Sequence, residues 1–169
     1  MKVLGDSHTA YDVMREYMII GAELDGKYQI PMLDRYAGHP GEDTVDFKDS
    51  FSPKIKNHHK LTVNFYIHDY EFEKIWNNPD RYLEHLKCFH SVIGPDFSMA
   101  VGENGMPFAM NIYQKYRNHA LSHYLSMNGI KVIPNVNIPP EYCYDWAFDG
   151  VPKRSTVACC TNGRIKSRA

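Results

Sequence analysis

Apolar and polar residues alternate along short blocks, and the stretches between those blocks repeat with helical spacing. Leu61 to His68 (LTVNFYIH) alternates side by side and is read as a strand. Ser91 to Gly94, Ile130 to Val136 (IKVIPNV) and Ser155 to Cys160 (STVACC) read as three more short strands. Tyr70 to Trp76 predicts a short helical piece, stopped at Asn77-Asn78-Pro79. Asp80 to Phe89 sets Tyr82, Leu83, Leu86 and Phe89 on one helical face. Pro107 to Asn128 predicts a long helix. Pro107 suits its first turn, Phe108, Ile112, Tyr116, Ala120 and Tyr124 recur every fourth residue, and Asn128-Gly129 ends it. Strands alternating with helices predict an α/β fold with a mostly parallel sheet, either incomplete and barrel-like or doubly wound.

The front of the chain has a different pattern. Thr9 to Leu24 predicts an amphipathic helix, with Ser7 and Thr9 as caps and Tyr11, Met14, Met18 and Ala22 near helical spacing. Asp25-Gly26 is a turn, and Tyr28 to Leu33 a short strand that Pro31 confines to an edge or a start. Residues 34–52 hold few apolar groups and read as a long loop. The expected organisation is a single domain over 1–169: an N-terminal helix, short strand and loop over 1–59, an α/β core over 60–163, and a basic tail over 164–169.

Composition narrows the function classes. A 43% hydrophobic share supports a packed core, and no apolar run approaches the roughly 20 residues of a membrane span. Asp6, Asp12, Arg15 and Glu16 interrupt any signal-peptide core, so a cytoplasmic protein is expected. The net charge of −1 gives no global attraction to nucleic acid or anionic membrane. Charge is uneven, however: residues 1–50 carry 5 Lys/Arg against 10 Asp/Glu, and residues 151–169 carry 5 against none. Cys88, Cys143, Cys159 and Cys160 form no C-x-x-C pair and are expected as buried, reduced thiols, the last two on opposite faces of a strand.

Five blocks carry a resemblance: FYIHDYEFEKIWNNPDRYLEHLK from Phe65, VIGPDFS from Val92, MPFAMNIYQKYRNHAL from Met106, NGIKVIPNV from Asn128 and FDGVPKRSTVACCTNG from Phe148. Over about residues 60–163 the chain resembles the family called domain of unknown function 4417. That resemblance implies a protein of phages and mobile elements of Gram-positive bacteria. It also implies a C-terminally shortened version, since family members continue past the block ending at Gly163. A last strand left at the edge would then need residues 1–50 or a second copy of the chain, as in a homodimer, to cover it.

In parallel α/β sheets ligands bind beyond the carboxyl ends of the strands. Those ends carry His68 and Asp69, Asp96 and Ser98, Asn135 and Asn137, then Thr161 and Asn162. Asp69 and Asp96 have the chemistry to hold Mg²⁺ or to divide acid and base roles, and with Asn135 they are the candidates of an enzyme reading. That reading is a small metal-dependent enzyme of nucleic-acid or nucleotide metabolism. The same aspartates also suit a plain capping role at a helix start and a turn. Arg117 on the long helix is expected to make a buried ion pair with Asp69 or Asp96, or to bind phosphate. His119 and His123 share a helical face but lack a third ligand, so no metal site is assigned to them. There is no glycine-rich phosphate loop, no G-x-S-x-G and no H-E-x-x-H.

The other reading is a binding protein without a cofactor. Glu141, Tyr142, Tyr144, Asp145, Trp146, Phe148 and Asp149 combine acid with aromatic anchors, as do Glu71 and Glu73 with their neighbours. Acidic surfaces of this kind compete with phosphates for basic grooves. Together with the phage setting that the resemblance implies, this makes the leading expectation an accessory protein that binds a host protein. Counter-defence, as an anti-CRISPR inhibitor of a nuclease or of another defence protein, is its most concrete form. The basic tail, with Arg164, Lys166 and Arg168, has the charge to touch nucleic acid but no interleaved aromatics.

Overall fold

The structure, a computed structural model, describes residues 15–137 and 140–160. Four parallel strands form the main sheet in the order of the chain: β3 (Asp43–Asp46), β4 (Leu61–Asn64), β5 (Ser91–Ile93) and β6 (Val132–Ile133). A small antiparallel pair, β1 (Leu24–Asp25) and β2 (Ile30–Pro31), precedes them. The helices are α1 (Asp69–Asn77), α2 (Asp80–Lys87), α3 (Phe108–Met127) and α4 (Tyr144–Ala147). Because the strand order never reverses, the described sheet winds in one direction, as in a barrel segment, and is not doubly wound.

The register explains the two faces of the sheet. Val45 pairs with Val63, Val63 with Val92 and Val92 with Val132, so one row of β-branched side chains crosses all four strands. This row joins Phe47, Phe65, Phe72, Leu86, Leu121 and Leu125 in one apolar cluster, so α1, α2 and α3 all cover that face. One register step away, Thr44, Thr62 and Ser91 line up. Thr62 and Ser91 are buried and share a hydroxyl hydrogen bond of 2.8 Å, and Thr62 Oγ1 accepts from the Gly41 N–H at 2.7 Å. The second face is therefore polar but satisfied at these positions, and apolar where Ile93 pairs with Ile133.

Three expectations are corrected. The helix read over Thr9 to Leu24 is, from residue 15 onward, a single 3-10 turn (Glu16–Ile19) that leads into β1; Gly21, at φ 81°, turns the chain left-handed where a helix would have to continue. Residues 9–14 lie outside the described part. The loop read over 34–52 contains β3, the first strand of the sheet. The strand read over Ser155 to Cys160 is reduced to one parallel bridge, Asn135 to Ala158.

Helix α3 is enclosed rather than amphipathic. Tyr116, Ala120, Leu121 and Leu125 face the apolar cluster, while Asn111, Lys115, Asn118, His119 and His123 are buried as well. Its polar groups are tied to backbone. His119 Nδ1 donates to the Pro31 carbonyl at 2.9 Å, and His123 Nε2 lies 3.3 Å from the Ile20 carbonyl. No helix among the described residues is long and apolar enough to cross a membrane.

Candidate functional site

The segments that leave the strands at their carboxyl ends enclose a cavity of about 530 Å³. Lys48 follows β3, Tyr66 and His68 follow β4, Asp96 and Ser98 follow β5, Asn137 follows β6, and Cys160 follows the Ala158 bridge; all seven line it. Parallel strands make this convergence, because every strand exits on the same side of the sheet.

Asp96 is the centre of the wall. Its Oδ1 accepts from Asn135 Nδ2 at 2.9 Å and from Asn137 Nδ2 at 3.1 Å. Asn135 also donates to the Pro95 carbonyl at 3.3 Å and accepts from the Tyr66 hydroxyl at 3.0 Å. Burial, with the Asp96 carboxylate second, pushes the Tyr66 phenol far above its ordinary range, so it stays a donor. Asn118 of α3 fixes the loop that presents Asp96: its amide accepts from the Phe97 N–H at 2.7 Å and donates to the Phe97 carbonyl at 3.3 Å. Phe97 stands between Asp96 and Ser98, so a buried helix residue sets the height of both.

Asp69 is placed differently. It opens α1, and its carboxylate accepts from the Ser98 N–H at 3.1 Å and from the Ser98 hydroxyl at 2.8 Å. Asp96 and Asn135 are thus joined directly, and Asp69 reaches the same loop two residues further along. Among the described residues no group of three or more His, Cys, Asp and Glu side chains converges on one point. The two carboxylates accept from different donors, Ser98 for Asp69 and Asn135 with Asn137 for Asp96.

Arg117 pairs with Glu73 and not with Asp69 or Asp96. Its guanidinium is buried 3.6 Å from the Phe97 ring centre and 5.0 Å from that of Trp76, and it donates to Gln114 at 3.0 Å. Glu71 accepts from Lys48 at 2.7 Å and from the His68 N–H at 3.2 Å, which closes the start of α1. Lys48 lowers the Glu71 carboxyl below its usual range.

The segment from Glu141 to Asp149 does not project as a loop. It folds into a 3-10 turn (Glu141–Cys143) and α4. Trp146 is 4% exposed and packs edge-on to Phe108, so it is core and not a surface anchor. Asp149 points inward toward Lys115 and Asp25, and its Oδ2 has no hydrogen-bond partner among the described residues. Tyr142, at 67% exposure, and Tyr144, at 49%, do face outward. Tyr142 and Asp145 line a second cavity of about 340 Å³ with Met106 and Phe108. Cys143 is buried as expected, but Cys88 and Cys159 are exposed. The basic tail and Thr161 with Asn162 lie outside the described residues.

Sequence reasoning placed Asp96, Asn135, Asn137, His68 and Ser98 at strand ends but missed Tyr66, Lys48 and Cys160. Tyr66 carried a signal: in LTVNFYIH it shares its parity with Thr62 and Asn64, the polar face of the strand.

Comparison with known proteins adds lineage. The chain is similar to the Gene 1 protein of Mycobacterium phage L5, 35% identical over 106 residues that make up 63% of this chain and 45% of that protein. It is also similar to the Gene 1 protein of Mycobacterium phage D29, 32% identical over 106 residues, 63% of this chain and 38% of that one. The chain thus spans less than half the length of these curated relatives. No solved structure matches it. The model of the domain of unknown function DUF4417 matches residues 22–169, and so takes in β1, β2 and β3 as well as the blocks from residue 60 onward. The chain belongs to the DUF4417 family.

Proposed function

We propose that this protein acts by recognising a small polar ligand in the cavity at the carboxyl ends of its parallel strands, with Asp96 as the anchor. One observation carries this: every strand of the main sheet, and the bridge beyond it, sends a side chain into the same cavity directly after it ends. Asn135 and Asn137 orient the Asp96 carboxylate, and Asn118 fixes the loop beneath it. The lining carries two carboxylates, Glu71 and Asp96, against one ammonium, Lys48, so it favours a neutral or cationic donor-rich molecule over an anion. The reading is one of recognition, and no step of bond making is assigned to it.

Thermal unfolding tests it. Purified protein is screened with nucleosides, polyols and amines, each beside its phosphorylated counterpart. A melting-temperature rise is expected from an unphosphorylated member, because a ligand that binds only the folded state stabilises it. Asp96→Asn and Asn137→Ala should lose that rise while keeping their far-ultraviolet circular dichroism. An undiminished rise in both variants, or a preference for the phosphorylated members, sinks the proposal.

A second reading has its own observation. Tyr142 and Phe108 are both exposed beside the cavity that Asp145 lines, which supports an aromatic docking surface for a protein. With the phage origin of the relatives, this is the support for an accessory protein that binds a host protein, including a counter-defence inhibitor of a CRISPR nuclease. Capture of one host protein by the wild type but not by Tyr142→Ala would support it. Equal capture by both would remove this surface.

A further inference from the structure

Two cavities lie at the other end of the main sheet, where the strands begin. One, of about 390 Å³, is lined by Arg35, Tyr36, Gly38, His39, His90 and Lys131. The other, of about 250 Å³, includes His59, Lys87, His90 and Lys131. They share His90 and Lys131, the residues directly before β5 and β6, so the two adjoin along the amino edge of the sheet as a groove.

The charge of this groove departs from that of the chain. Acidic residues outnumber Lys and Arg by 20 to 19 overall, yet among the described residues no Asp or Glu lines either cavity. Glu84 holds Lys87 at 2.7 Å, and Glu42 holds Lys60, the residue before β4, at 3.0 Å. Arg35 donates its Nε to the Arg154 carbonyl at 2.7 Å, which fixes the guanidinium at the groove wall. Lys131 is exposed and makes no ion pair with the described residues.

Planar groups line the same cavities as these cations. Tyr36 is half-buried, with its hydroxyl donating to the His39 carbonyl at 2.8 Å, and His39, His59 and His90 also line the two cavities. Gly38 keeps the side of the Tyr36 ring open, since a Cβ there would stand 3.1 Å from its Cζ and hydroxyl. Cations that track a backbone, with flat rings between them, are the elements of single-strand nucleic-acid binding. An acidic peptide would use the cations and leave the rings without a role.

We propose that the amino-edge groove from Arg35 to Lys87 binds the phosphodiester backbone of a single-stranded nucleic acid, with Lys131 at its centre. This site shares no lining residue with the Asp96 cavity.

Fluorescence anisotropy with a labelled thymidine oligonucleotide tests it on the full chain, titrated at salt concentrations from roughly 50 to 200 mM. Two phosphate contacts, to Arg35 and Lys131, predict a slope of log affinity against log salt of about −1.4, with Lys87 already paired to Glu84. Lys131→Gln should weaken binding and reduce that slope by about 0.7, with unchanged circular dichroism because the side chain is exposed. Replacing Arg164, Lys166 and Arg168 together by Gln should leave binding in place, as should Asp96→Asn. An unchanged slope in Lys131→Gln, loss of binding in the tail variant instead, or equal affinity for an oligoglutamate of matching charge would each overturn the assignment.

Discussion

Replacing Lys115 with Met should flatten the rise in stability of this protein at alkaline pH. Lys115 is 4% exposed; its ammonium donates to the Ala147 carbonyl at 2.8 Å and sits 3.3 Å from His119 Nε2. Because His119 Nδ1 donates to Pro31, its Nε2 lone pair is the one that meets the ammonium. Burial pushes the lysine down from its ordinary 10.5 to about 8, with Asp149 and Asp25 opposing the shift. Between those values the unfolded chain keeps a proton that the folded chain has released, so stability increases with pH. Below about 8 both states hold the proton and the cost of burying the cation is fully present. Integrating from roughly pH 7.5 to 9.5 gives a gain of about 2 kcal/mol for the wild type. Other groups titrate in the same window: burial raises the Cys143 thiol, which works in the opposite direction. Lys115→Met leaves those terms in place, so the difference between the two proteins isolates the lysine. Urea unfolding at both pH values reads it, with midpoints converted through a common slope. Parallel pH profiles for wild type and variant would refute the reasoning.

Four further outcomes are expected. Asn118→Ala should cost about 1–3 kcal/mol in chemical denaturation, because it leaves the Phe97 backbone without its buried partner, and it should also weaken any ligand response at Asp96. Trp146→Ala should cost about 3–5 kcal/mol and lower the melting temperature, where a surface anchor would fold normally. Gly150→Ala should destabilise by about 1–3 kcal/mol in a thermal melt, since φ is 73° there and a Cβ would stand 2.6 Å from the Pro31 carbonyl oxygen. Glu73→Gln should cost about 1–2 kcal/mol in urea, short of a fully buried pair because Glu73 is half-exposed, and Glu73→Gln combined with Arg117→Met should recover part of it.

The elements that were legible in the sequence are those whose pattern coincides with their surroundings. In β4 and the two residues after it, alternation separates Val63 and Phe65 from Thr62, Asn64 and Tyr66, as the sequence implies. β3 was hidden because DTVD carries one apolar residue; its identity comes from pairing with β4, a tertiary fact. The ladder from Phe108 to Tyr124 gave α3 its length but not its setting. Buried Asn111, Asn118 and His119 bond backbone that no local pattern reveals, and Phe108 itself is exposed. The same limit explains Trp146, since an acidic and aromatic run does not say which rings turn inward. For the site, parallel topology was enough to place Asp96, Asn135 and Asn137 together. Lys48 stayed hidden along with its strand.

Winding in one direction has a consequence for how the molecule is made. As the chain emerges from its amino end, each new strand of the main sheet finds its neighbour already synthesised: β4 has β3, β5 has β4 and β6 has β5. The front layer has no such advantage. Leu33 bonds Gly150, Asp25 bonds Gly150, Tyr36 bonds Thr156 and Ser155, and Pro31 bonds His119, so residues 25–36 wait for partners more than eighty positions later. Closing those distant contacts is a late step with a large loop-closure cost. The Asp96 cavity is on the same schedule, because Asn137 and Cys160 arrive with the final third of the chain. A nascent chain would therefore carry an assembling sheet, an undocked front layer and an incompetent pocket until residues 150–160 have emerged.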